Sequence, residues 1–306
     1  MKKIFSLLVA ILILTSSQAQ KTVLSFNLEK GKKYKLVSNS KSVINQDLYG
    51  QKINMEVTIN GTMLFFVKDI KDDNYEMEVE YESLGMTMQM PQGSVEFSSE
   101  KHDEQDVFST ILAAMKNSPF NMKMSKTGKV LEVKNIEVLF DSIINRVSRF
   151  SPEQVAQMKQ QLMKAYGPEA FKGNIEMVTA IYPEKPVGIG DSWEIKTKLK
   201  SSITANVTST YSFVKDSADY YLIAGDSKIE TKSGKVYKKS GGIFVKYDID
   251  GKMISGIKVD KESGWIKEAN VKQNMEGEVF FKADSTMKDA MKIPMVIENN
   301  MTVKGE

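Results

Sequence analysis

Apolar and polar residues alternate one for one through run after run of this chain, and that period of two constrains the fold more than any other feature. Tyr75, Met77, Val79 and Tyr81 share one face of an extended segment whose other face carries Glu76, Glu78, Glu80 and Glu82. Met55, Val57 and Ile59 alternate with Glu56, Thr58 and Asn60, as Ile203, Ala205 and Val207 do with Thr204, Asn206 and Thr208. Strands written this way keep one face in a core and the other in water, a division that antiparallel sheets allow and parallel sheets rarely do. Turn chemistry at Lys71-Asp72-Asp73-Asn74, Lys126-Thr127-Gly128, Asp216-Ser217-Ala218-Asp219, Asp250-Gly251 and Glu262-Ser263-Gly264 makes the connections short. Short connections predict hairpins and meanders.

Helical spacing appears only near the middle. Val107, Phe108, Ile111, Leu112 and Met115 form an apolar stripe within Glu104 to Lys116, and a second helix is expected from Ile136 to Ser148. The third has the fullest start signal, with Ser151 as N-cap, Pro152 at the first helical position and Gln154 at the capping-box position. It is expected to run to Tyr166 and to stop at Gly167-Pro168, turning Val155, Met158, Leu162 and Ala165 toward the body of the protein. These signals divide the chain into a leader (1–19), a first β-rich half (20–135) that includes helix 104–116, a helical segment (136–173) and a second β-rich half (174–306). The fold class they predict is a β-dominated α+β protein, with long antiparallel strands in one or two curved sheets and the helices packed on an inner face. A weak internal repeat supports the halves. Gly31-Lys-Lys-Tyr34, Phe66-Val67-Lys68-Asp69 and Lys126-Thr127-Gly128 recur in order as Gly190-Asp-Ser-Trp193, Phe213-Val214-Lys215-Asp216 and Lys261-Glu-Ser-Gly264.

Lys2 and Lys3, an apolar run from Ile4 to Leu14, and Ser17-Gln18-Ala19 read as a bacterial secretory signal peptide cleaved after Ala19. The run falls well short of the roughly 20 residues that cross a bilayer. With no cysteine in the chain there is neither a lipid attachment point nor a disulfide, so the expectation is a soluble, unlipidated protein of the periplasm or the extracellular space. The leader holds two of the three net positive charges, and Arg146 and Arg149 are the only arginines. The remaining charges are interspersed in sign, which argues against nucleic acid as a partner.

Little in the sequence points to catalysis. His102, the single histidine, lies in the polar stretch from Ser98 to Glu104 and reads as a solvated surface residue, since one histidine supplies neither a zinc site nor a triad without its partners. Asp47, Asp248 and Asp250 lack the ligand spacing of a calcium loop, with Asp250-Gly251 reading as a hairpin turn. Gly188-Ile-Gly190 and Gly241-Gly242 do not precede a phosphate-binding helix. Glu76 to Glu82 form a solvated face. Trp193 and Trp265, each just after a turn, are expected to plug the core.

Methionine is the compositional oddity, with nineteen in the chain and a cluster at Met86, Met88 and Met90. Three readings stand side by side. Thioethers on one strand face could take Cu(I); adaptable side chains could line a ligand surface that includes Met77, Val79, Met86, Met88 and Met90; or the methionines simply fill a core. No cofactor is called for, and no enzyme is expected.

An opening Gly31-x-x-Tyr34 strand, a Met-rich strand over Tyr75 to Met90, the segment Pro186 with Gly190, Asp191 and Trp193, and a closing Gly264-Trp265 strand together resemble an uncharacterised family of exported bacterial proteins. The resemblance spans nearly the whole chain beyond the leader, but it implies no known activity and carries over no functional residue. The expected architecture is more distantly similar to periplasmic lipoprotein carriers, whose curved sheet shelters an acyl chain, and a fold does not fix a function. The function expected is binding or carriage of a lipid-like or other apolar small molecule in the cell envelope; the alternative is an envelope protein that docks a protein partner.

Overall fold

The computed structural model describes residues 21–48, 50–101, 106–145, 151–200, 204–231, 237–240, 243–282 and 290–306. The leader, His102, Ile203, the Gly241-Gly242 pair and both arginines lie outside the described residues.

The period-two runs form strands. They are β1 (Lys33–Leu48), β2 (Gln51–Lys71), β3 (Asn74–Met90), β4 (Gly93–Ser98), β5 (Phe120–Ser125) and β6 (Val130–Lys134) in the first half. The second half supplies β7 (Ser192–Lys200), β8 (Thr204–Asp216), β9 (Tyr220–Glu230), β10 (Lys238–Ser240), β11 (Ile243–Asp260), β12 (Ile266–Phe281) and β13 (Met291–Gly305). One sheet holds them all in the order β6-β5-β3-β2-β1-β13-β12-β11-β9-β8-β7, with β4 beside β3 and β10 beside β11. Every strand pairing is antiparallel. Asp72 and Asp73, at φ of 49° and 59°, take the two left-handed positions of a tight hairpin turn between β2 and β3.

The halves are two meanders laid in the same sense along the sheet and joined where β13 pairs with β1. Their openings are built alike. Gly31 (φ 83°) donates its N–H to the carbonyl of Val67 at 2.8 Å, and Gly190 (φ 91°) donates to that of Phe213 at the same distance. A β-bulge follows each acceptor, between Val67 and Asp69 and between Phe213 and Lys215.

Among the described residues, four helices cover one end of the inner face. Asp106 caps α1 (Val107–Met115), accepting from the Ser109 N–H; α2 spans Ile136–Asn145. The Ser151/Gln154 capping box opens α3 (Pro152–Tyr166) as its sequence predicts. It ends at Tyr166 with Gly167 as its C-cap, as expected, but the same Gly167-Pro168 also opens a further helix. Pro168 is the first residue of α4 (Pro168–Thr179), where a missing N–H costs nothing, and Ala170, Phe171, Ile175 and Val178 bury a helical stripe. Helix therefore occupies positions 174–179, which were expected to open the second β-rich half, and that half begins at Ser192. No helix among the described residues is long and apolar enough to cross a membrane.

Helix α4 reveals how far the sheet curls, because it packs against both β6 and β7, the two ends of the strand order. A sheet whose opposite edges touch one helix is curled most of the way around. At Gly173 a β-carbon would lie 2.9 Å from the Lys198 carbonyl, so glycine is what lets the helix backbone meet β7. On the other side the Glu176 carboxylate, 6% exposed, accepts the N–H of Val130 on edge strand β6 at 2.9 Å. Burial raises its pKa, and Lys172 at 4.0 Å offsets part of that rise. A carboxyl raised in the folded state holds its proton where the unfolded chain has lost it. Its contribution to stability therefore falls as pH climbs through the window between the ordinary carboxylate value and the raised one. Glu176→Gln keeps the acceptor for Val130 and removes the charge. Urea denaturation from about pH 4 to pH 8 should show the variant gaining on the wild type as pH rises.

A strap of chain closes the helix-covered end. The Phe26 N–H donates to the Lys126 carbonyl in the β5–β6 turn (2.8 Å), and the Asn27 N–H donates to the Ser263 carbonyl in the β11–β12 turn (2.7 Å). The Tyr75 hydroxyl donates to the Phe26 carbonyl at 2.9 Å and accepts the Leu28 N–H at 3.1 Å. Trp265 is 4% exposed within the ring cluster of Phe26, Tyr34 and Phe65, and the indole of Trp193 donates to the Ile181 carbonyl. Both tryptophans thus pack as expected. Asp250-Gly251 is not a turn; it lies inside β11, where a β-carbon at Gly251 would meet the Met275 side chain at 2.5 Å. Glycine there makes room for a neighbour rather than reversing the chain.

Candidate ligand cavity

A single extra residue sets which side chains face inward on β3. Tyr75, Met77, Val79 and Tyr81 point into the core, but the pairing slips between Thr62 and Met63 of β2, which face Ser83 and Tyr81, leaving Glu82 as a bulge. A bulge shifts the alternation by one, so beyond it the inward positions are Leu84, Met86, Met88 and Met90. Directly opposed residues share a face, and the register runs Phe97, Met86, Ile59, Ser40, Met301 and Val271 across six neighbouring strands. The next row runs Val95, Met88, Val57, Ser42, Asn299, Gln273 and Met253.

Where the helix cover ends, these rows border a cavity of about 430 Å³ between α4 and the curled sheet. Ile175, Met177 and Val178 of α4 form its roof; Leu36, Met63, Ile229, Met275 and Met301 lie on the facing strands. Among the described residues, no lysine, arginine, aspartate or glutamate lines it. Ile59, 45% exposed, stands at its margin, as does the exposed Asn174 of α4. Three of the polar lining side chains, Ser40, Asn299 and Gln273, join with the neighbouring Ser42 in a short chain of hydrogen bonds. The Ser40 and Ser42 hydroxyls both donate to the Asn299 Oδ1, at 2.8 and 3.2 Å, and the Asn299 amide donates to the Gln273 Oε1 at 3.4 Å.

None of the five side chains that the sequence offered as ligand-facing lines this cavity. Met77 and Val79 are buried under the helices, paired across β5 with Met122 and Phe120. Met86, Met88 and Met90 lie on the same inner face but beyond the cavity, partly exposed. The cross-strand neighbours of Met86 are Ile59 and Phe97, and those of Met88 are Val57 and Val95. The lining was not legible in advance because it comes from α4 and seven strands far apart in sequence. The only local signal was the break in alternation at Tyr81-Glu82-Ser83-Leu84, which betrays the bulge. On the outer face the glutamates meet lysines, Glu78 with Lys68 at 2.9 Å and Glu82 with Lys35 at 2.9 Å, as exposed pairs of small energetic worth.

Fold and cavity together define a curled, open antiparallel sheet with a helix-roofed apolar hollow. Residues 72–266 match the model of the Family of unknown function (DUF6263), and the chain belongs to that family. This agrees with the resemblance read from Tyr75 to Met90, Trp193 and Trp265. No curated protein matches the sequence. Among solved structures, the chain is similar to one described as lipid-protein interactions in lipovitellin, at 10% identity and a TM-score of 0.48, over 91% of this chain. It spans a quarter of the length of that chain, 25%. An outer membrane channel from Pseudomonas putida F1 aligns at 9% identity and a TM-score of 0.27, over 92% of this chain and 97% of the other. Likeness at this level assigns neither ligand nor partner.

Proposed function

We propose that the protein is a non-enzymatic carrier or binding module of the cell envelope that holds an apolar ligand between α4 and the curled sheet. The observation that carries this reading is the cavity itself, about 430 Å³, lined mainly by aliphatic and thioether side chains with a few neutral polar ones and, among the described residues, by no charged group. Ligand sites of this size are mostly apolar with a few placed polar groups. The described lining residues also offer no side-chain acid or base for catalysis. The secretory leader read from Lys2 to Ala19 supports an exported site of action.

Native mass spectrometry of protein purified without detergent tests the proposal. A lipid-sized adduct, or uptake of dodecyl-chain probes with a rise in melting temperature, is expected. Met177→Trp on the roof and Ile59→Trp at the margin should each abolish uptake while melting cooperatively. A clean apo mass, with no stabilisation by any apolar probe, would sink the carrier reading.

A further inference from the structure

The polar chain inside the cavity ends on a donor without a good acceptor. Gln273 is 5% exposed and lines the cavity, and its Oε1 is already taken by the Asn299 amide. Its Nε2 donates to the Met275 Sδ at 3.2 Å. A thioether is a weak acceptor, and the second N–H of the same amide has no acceptor among the described residues. In this arrangement Ser40 and Ser42 donate to the Asn299 Oδ1, Asn299 donates its amide to the Gln273 Oε1, and the Gln273 Nε2 is left toward Met275. A buried amide donor left short of an oxygen costs free energy, and a guest that supplies one recovers it.

Resting on the carrier reading above, we infer that the ligand is a neutral acyl ester or amide whose carbonyl oxygen accepts from the Nε2 of Gln273. Neutrality follows from the lining. An ionised carboxylate would enter a hollow with no lysine or arginine on its walls among the described residues, and an unpaired buried charge is far costlier than an unpaired amide. A plain hydrocarbon would fill the apolar volume but leave Gln273 on its thioether. The carbonyl is therefore the group that distinguishes the preferred guest.

Three probes of equal chain length separate these cases: dodecane, methyl dodecanoate and dodecanoate, titrated at about pH 8, where the acid is ionised. The wild type should bind the methyl ester about fivefold to tenfold more tightly than dodecane, the range that one added hydrogen bond supplies. Dodecanoate should bind weakest. Gln273→Leu should bring the ester down to the affinity of dodecane. Met275→Leu, a near-isosteric change that withdraws the thioether acceptor, should keep or widen the preference for the ester; it supplies the test if the Gln273 variant fails to fold. Equal binding of ester and dodecane by the wild type, an ester preference that survives in Gln273→Leu, or tightest binding of dodecanoate would overturn the inference and leave the carrier reading standing. If none of the three probes binds, the carrier reading itself fails.

Discussion

Replacing Trp265 with alanine should destabilise the protein by about 3–5 kcal/mol, the range for deleting a large buried aromatic side chain. Trp265 sits where both meanders, the strap and the first strand meet, with ring centroids 5.8 Å from Phe26, 5.1 Å from Tyr34 and 5.4 Å from Phe65. Nothing nearby is free to collapse into the hole, because Phe26 is pinned by its backbone to Lys126 and by its carbonyl to the Tyr75 hydroxyl. The indole also donates to the Lys35 carbonyl at 3.1 Å, but that oxygen keeps the Glu306 N–H as a partner, so most of the loss is packing. Thermal denaturation should show a drop in melting temperature of roughly 10 °C. Trp193 then remains as the only fluorescent tryptophan and reports whether the far end of the sheet unfolds in the same transition. A loss below about 1 kcal/mol would mean that the cluster is not the anchor described here.

The second large effect belongs to the turn just before that tryptophan. Gly264 has φ of 66°, and a β-carbon there would stand 2.2 Å from the carbonyl oxygen of Ser25 in the strap. Gly190 is also left-handed, at 91°, yet a β-carbon on it meets nothing within 4 Å. Gly190→Ala should therefore cost only the backbone penalty, about 1–2 kcal/mol. Gly264→Ala adds a backbone collision that no side-chain rotation relieves. It should cost clearly more and release the strap, which limited proteolysis near Lys21 to Leu28 would detect. Equal losses in the two variants would show that the close approach of strap and turn contributes nothing.

The strap and α4 act on the same hollow from different sides. The strap ties the helix-covered end shut through the two β-turns, while α4 seals the seam between β6 and β7 and roofs the cavity. An apolar guest in the cavity would thus rest against elements held by backbone hydrogen bonds, with access past Ile59 and Asn174 at the margin. The inner face continues beyond this point through Val57, Met86 and Met88, so longer chains have apolar surface to follow.

Local chemistry wrote much of the fold directly. Alternation in Tyr75 to Tyr81 named the buried face, Asp72-Asp73 named a hairpin, and Ser151-Pro152-x-Gln154 named a helix start, because each depends on contacts within a few residues. What local reading missed were signals with two physical uses. Gly167-Pro168 ends α3 as expected and also opens α4, and the burial of Ala170, Phe171, Ile175 and Val178 is what makes the following residues a helix. Asp250-Gly251 can turn a chain or clear space for a neighbour, and Met275, packed over Gly251 on the adjacent strand, decided that.

The sequence by itself determined that this chain makes antiparallel sheet with one wet face and carries tryptophans that pack on a core. Only the tertiary structure decided where a ligand could sit. The bulge at Glu82 moved the inward positions of β3 by one, the curl of the sheet brought β6 and β7 to the same helix, and Ser40 met Asn299 and Gln273 from more than two hundred residues away. A cavity is a property of how faces close on one another, and no stretch of alternating residues records that closure.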